Sequence, residues 1–141
     1  MKILYSILLL FIVAAIIFFS YAPRYFDESK NRIGTHAIAG SELSWYDSIP
    51  FIADLHSDML LWDRDFFKHH DFGHVDLPRM QLGNMAFQAF TIVSKVPSGI
   101  NIERNSSNSD QIGLLSFAQL RPPATWFSVQ ARALHQCSQL H

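Results

Sequence analysis

The feature that most restricts the fold of this chain is an uncharged segment at residues 3–22, ILYSILLLFIVAAIIFFSYA. About 20 apolar residues are what an α-helix needs to cross the hydrocarbon core of a bilayer. A cleaved secretory signal is the alternative, because Lys2 precedes the segment and Ala22 could end a cleavage site. The run is longer than a typical signal core, and Pro23 would follow the cut. We therefore favour an uncleaved single-pass membrane anchor at residues 1–22.

The rest of the chain divides by composition into two parts. Residues 23–48 are polar without a sustained period, which indicates a linker, and residues 49–141 remain for globular structure. Basic residues flank the anchor on both sides, so the positive-inside rule does not decide its orientation; we favour an extracytoplasmic C-terminal part. A net charge of −1 with 16% charged residues argues against nucleic-acid binding. Cys137 is the single cysteine, which excludes an intramolecular disulfide and a cysteine-based zinc cluster.

The pattern of residues 49–141 indicates an α/β fold. Residues 50–56 and 85–94 are strand-like, and the second run is apolar enough for a strand buried on both faces. A short helix is expected between them, with Asp76 or Leu77 at its cap and a stop at residues 83–84. Residues 97–123 read mainly as loop, with a helical turn near 111–120 as the alternative, and residues 126–140 read as one helix. Because two strands make no stable sheet alone, apolar side chains of the second strand should stay uncovered on one face.

The candidate site follows the first strand. Successive side chains of a strand point to opposite faces, so His56 and Asp58, two residues apart, emerge on the same side. An imidazole and a carboxylate placed together in this way could bind a divalent metal. Asp54 lies on the same face and could orient the imidazole. Two further His-x-Asp triplets, at residues 69–71 and 74–76, lie in a polar loop. Only the first triplet follows a strand that would fix and bury it, so we favour His56 and Asp58 as the ligands.

Three stretches in series carry a resemblance to a known family. They are residues 51–58 (FIADLHSD), 75–80 (VDLPRM) and 83–91 (GNMAFQAFT). They resemble the Asp-Gly-His-Asn-Asp strand, the Asp-Leu-Pro-Arg-Leu stretch and the second strand of the membrane (renal-type) dipeptidases, and the final helix is similar in place and type. The resemblance covers about residues 50–141. Leu55 and Ser57 depart from the family's Gly and Asn, neither of which is a ligand position.

The resemblance implies a zinc-dependent dipeptidase with a TIM-like (β/α)8 barrel. In that family two zinc ions share a hydroxide that attacks the dipeptide carbonyl, and His56 and Asp58 would be two ligands of one zinc. The bridging glutamate, further histidines and a late aspartate of the family come from later strands, which these 141 residues do not supply. We therefore expect a truncated N-terminal part of the barrel with negligible peptidase activity alone, and we assign no catalytic residue. The alternatives are a membrane-tethered interaction protein without catalytic activity and one half of a split enzyme.

Overall fold

The structure, a computed structural model, describes residues 1–34 and 48–141, which combine helices and strands. The mixed helix-and-strand class predicted from the sequence is confirmed; half of the predicted linker, residues 35–47, lies outside the described residues. The elements in chain order are α1 (Lys2–Lys30), β1 (Ile52–Ser57), a 3-10 turn (Met59–Leu61), α2 (Leu77–Leu82), β2 (Met85–Phe90), α3 (Gln111–Ala118), α4 (Ala124–Phe127) and α5 (Val129–Ser138). They divide between two compact units, Met1–Asp27 with Ser94–His135 and Glu28–Val93 with Gln136–His141.

Helix α1 contains the apolar segment and is long and apolar enough to cross a membrane. It continues through Pro23 to Lys30, and so extends into residues that composition assigns to the linker. Its side chains are exposed as far as Phe18, and the first half-buried one is Phe19. Further buried or half-buried positions follow about one turn apart, at residues 22–23 and 27–28, so only the C-terminal part of the helix has a packed face.

Strands β1 and β2 pair in parallel in the second unit, with Asp54 opposite Gln88 and Ser57 opposite Phe90. The connection between them contains α2, which begins where the sequence predicts. Asp76 caps the helix by accepting a hydrogen bond from the backbone N–H of Arg79 (2.9 Å). At the other end Gly83 closes α2, and Asn84 takes a left-handed backbone conformation with φ of 52°. The predicted stop at residues 83–84 is confirmed.

The apolar core of the second unit lies beneath the 3-10 turn. Met59, Leu60 and Phe66 are buried, with half-buried side chains, among them Phe90, packed against them. The prediction that β2 is buried on both faces is wrong, because the side chain of Phe87 is 53% exposed. The sheet in the described part of the chain has two strands, and this side chain projects from it towards solvent. The uncovered apolar face expected from the sequence is confirmed.

The first unit contains α3, α4 and most of α5. Helix α3 confirms the helical alternative near residues 111–120, and Asp110 caps it by accepting hydrogen bonds from the backbone N–H groups of Ile112 and Gly113. The prediction of one helix over 126–140 is wrong, because Ser128 is extended and separates α4 from α5. Its hydroxyl oxygen accepts a hydrogen bond from the N–H of Ala131 (3.2 Å), which begins a new helix. Arg132 on α5 is buried and forms an ion pair with Asp110 at 2.7 Å.

Candidate metal centre

The structure brings His56 and Asp58 together at the carboxyl end of β1. The Nε2 atom of His56 lies 3.4 Å from Oδ1 of Asp58. Two ligands of a tetrahedral zinc ion, each about 2.0–2.2 Å from the metal, are separated by roughly 3.3–3.6 Å. The two atoms therefore stand at the spacing of neighbouring zinc ligands. A direct imidazole–carboxylate ion pair has the same spacing, so the distance alone does not distinguish the two.

The pair is exposed, and the prediction that the strand would bury it is wrong. The side chain of His56 is 69% exposed and that of Asp58 is 49% exposed. The neighbouring residues Met59 and Leu60 are buried in the core, whereas the side chains of His56 and Asp58 project towards solvent. Exposure leaves both groups accessible to a metal ion from solvent. Exposure also means that water solvates both groups, so the His56–Asp58 pair does not lie in a low-dielectric environment.

Thr91 is a member of the site that the sequence analysis did not identify. Its hydroxyl group donates to Oδ1 of Asp58 and also lies 3.0 Å from the backbone carbonyl oxygen of Ser57. Its backbone N–H donates to the same carbonyl at 2.9 Å. The signal available from the sequence was its position, directly after the second strand. Parallel strands end at the same edge of a sheet, so the residue after β2 meets the residue after β1.

Asp54 supports the backbone of His56 in the observed hydrogen bonds. Its Oδ1 accepts from the backbone N–H of His56 (3.1 Å), and its Oδ2 accepts from the side-chain amide of Gln88 (2.8 Å). The Gln88 amide, and after it the His56 N–H, holds the pKa of the Asp54 carboxyl below its usual value. Asp54 is therefore an ionised link between β1 and β2. It fixes where the strand places the imidazole, through the backbone of His56.

The other His-x-Asp triplets are organised differently. Asp76 is completely buried and accepts hydrogen bonds from the N–H and Nε of Arg79 and from the backbone N–H of His70. Burial raises the pKa of Asp76, but the Arg79 and His70 hydrogen bonds outweigh it and hold the pKa below its usual value. The ring of His70 contacts the carbonyl oxygen of Asp65 at 2.9 Å. These groups stabilise the loop and the start of α2.

The described residues contain no group of three or more His, Cys, Asp or Glu side chains placed to hold a metal ion. The pair at the end of β1 therefore offers two ligands, and a full zinc shell needs about four. Comparison of the chain with family models, with curated proteins and with solved structures found no match. The case for a metal centre rests on the residues and their geometry.

Proposed function

We propose that this chain carries one ligand pair of a zinc-dependent dipeptidase, in which His56 and Asp58 bind one zinc ion. The observation that supports the proposal is the 3.4 Å separation of Nε2 and Oδ1 at the open end of a parallel strand pair. That separation suits neighbouring positions of a tetrahedral shell. The resemblance of residues 51–58, 75–80 and 83–91 to the membrane dipeptidases supplies the metal and the reaction class.

The side chains present have defined tasks in this proposal. His56 binds through Nε2 in its neutral form, so the ring proton resides on Nδ1 and metal affinity falls as the imidazole is protonated. Asp58 binds through Oδ1, whose other lone pair accepts the hydrogen bond from Thr91 and so fixes the carboxylate. Asp54 holds the backbone of His56 in place. When bound, zinc supplies Lewis-acid activation of water and of the dipeptide carbonyl.

The proposed fold and location follow from the same resemblance. We propose that β1 and β2 correspond to the first two strands of a (β/α)8 barrel, and that the remaining zinc ligands come from outside the described residues or from a second polypeptide. Parallel pairing with an intervening helix supports this assignment, because the first two strands of such a barrel are joined in that way. We further propose that α1 is a single-pass anchor with the site on the extracytoplasmic side.

The enzymatic part is tested by completing the ligand set. The search for the missing glutamate and histidine ligands begins with the coding sequence beyond residue 141, translated in all three frames. It is then extended to the rest of the genome. The product is co-expressed with this chain, and hydrolysis of a panel of dipeptides is measured with and without zinc. We expect zinc-dependent hydrolysis that disappears in the His56→Ala variant and persists in His69→Ala, which alters an exposed histidine of another triplet. Full activity of the His56→Ala complex would refute the assignment.

A further inference from the structure

The first unit carries an exposed apolar surface formed by Leu114, Phe117, Trp126 and Phe127, here called the aromatic surface. Phe127 is 86% exposed, Leu114 is 72% exposed and Phe117 is 42% exposed. These four side chains line a shallow cavity of about 220 Å³, together with Asp110 and Gly113. Exposed apolar groups that are contiguous in this way mark a surface that meets another apolar phase.

The aromatic surface is continuous with α1. The ring of Phe19 packs edge-on against Phe117 with 5.4 Å between centroids. Phe117 in turn packs against Trp126 at 5.0 Å, and Trp126 packs against Phe127 at 6.3 Å. An unbroken series of aromatic contacts therefore leads from the apolar helix to the most exposed ring of the surface.

The length of α1 sets the depth of this contact in a bilayer. The part of the apolar segment that precedes Phe19, residues 3–18, rises roughly 24 Å at about 1.5 Å per residue. A bilayer core is about 30 Å thick, so residues 3–18 alone fall short of crossing it. The helix must continue past Phe19 to complete the span. Phe117, which packs on Phe19, is then held at the boundary between the acyl chains and the headgroups.

The polar groups around the aromatic surface suit that boundary. The indole N–H of Trp126 donates to the carbonyl oxygen of Arg121 at 2.8 Å, so the ring can leave water without an unpaired donor. The carboxylate of Asp110 forms an ion pair with Arg132 at 2.7 Å, which neutralises the charge at the cavity. Tryptophan is enriched at this depth in membrane proteins, and helices that lie in the interface bury Trp, Phe and Leu side chains.

We propose that the aromatic surface inserts into the interfacial layer of the bilayer that α1 crosses, with lipid as its occupant. This gives the first unit a second attachment to the membrane in addition to the helical anchor. The inference rests on the proposed membrane crossing by α1 and is independent of the proposed zinc chemistry.

The test uses the full chain reconstituted in phosphatidylcholine vesicles. In a Cys137→Ser background, single cysteines are introduced by Phe127→Cys, Ile12→Cys or Leu82→Cys and labelled with an environment-sensitive fluorophore. Quenching is measured with lipids that carry a nitroxide at a shallow or a deep position of the acyl chain. Leu82 is the matched control, because it is 85% exposed against 86% for Phe127 and belongs to the other unit.

We expect shallow lipid nitroxides to quench the label at position 127, deep nitroxides to quench the label at position 12, and neither to quench the label at position 82. A label at 127 that is unquenched while position 12 is quenched would overturn the inference and leave the anchor intact. An unquenched label at position 12 would overturn the anchor and the inference together. Equal quenching at 127 and 82 would indicate nonspecific adhesion, and a water-shielded but unquenched label at 127 would indicate a protein occupant; each overturns the inference.

Discussion

The replacement Asp76→Asn tests the structural role assigned to the third His-x-Asp triplet. The Asp76 carboxylate is completely buried and forms an ion pair with Arg79 at 2.7 Å, while it also accepts the N–H hydrogen bonds of Arg79 and His70. Asparagine keeps the shape but removes the charge. It also replaces one of the two accepting oxygens with an N–H₂ group, which then faces the N–H donors of Arg79 or His70.

The expected loss of stability follows from the burial of the pair. Removing one partner of a buried ion pair costs about 3–5 kcal/mol, whereas the N-cap itself is kept because the amide oxygen of asparagine can still accept the Arg79 N–H. The side chain of Arg79 is 21% exposed and can regain part of its hydration, which places the expected loss at about 3 kcal/mol, the low end of that range. With a urea slope of about 2 kcal/mol per molar, the unfolding midpoint should fall by roughly 1.5 M.

Asp65→Asn is the matched control. Asp65 and Lys68 have the same three-residue spacing and a 2.8 Å ion pair, but their side chains are 41% and 75% exposed. An exposed pair contributes little to stability because solvent screens it, so this variant should unfold close to the midpoint of the parent. Urea unfolding of the full chain in mild detergent, followed by tryptophan fluorescence, measures both variants. Equal midpoints for the two variants would refute the structural role of Asp76.

Three further predictions concern stability and the site. The replacement Gly113→Ala would place a Cβ 2.8 Å from the carbonyl oxygen of Trp126; we expect a loss of about 1–3 kcal/mol in urea unfolding, and an unchanged midpoint would contradict the packing. Because the pKa of Asp76 is lowered in the folded state, its contribution to stability is present above the ordinary carboxyl pKa and is lost as the pH falls through the folded value. Urea midpoints should therefore drop with acidification below about pH 4, less steeply in Asp76→Asn, and parallel curves would refute the argument. Gln88→Ala should raise the pKa of Asp54 towards its usual value, because the Gln88 amide is the main cause of its lowering; an NMR pH titration that shows no change would exclude this cause.

Local rules account for the features that the sequence predicts well. The start of α2 at Asp76 and its end at Gly83 depend on capping and on backbone conformation within a few residues. The break between α4 and α5 was missed, although Ser128 is a helix-capping residue type. A serine inside an apolar pattern can either continue a helix or cap the start of a new one, and the surrounding packing decides which of the two occurs.

Features that depend on distant neighbours were not predictable in the same way. The exposure of His56 and of Phe87 depends on which elements cover the sheet, and no local pattern records that. The hydrogen bond from Thr91 to Asp58 joins residues 33 positions apart and exists because β1 and β2 pair in parallel. The sequence indicates that both proposed ligands lie at one strand end. It could not supply the neighbour that orients the carboxylate.

The most direct test of the proposed zinc ligands His56 and Asp58 is the affinity of the purified full chain for zinc. Isothermal titration at neutral pH is performed on the parent chain and on His56→Ala, Asp58→Asn and the control His69→Ala. We predict one zinc per chain for the parent and for His69→Ala, and a loss of about tenfold or more in affinity for the two site variants. Zinc binding that is unchanged in His56→Ala, or equally reduced in His69→Ala, would contradict the account.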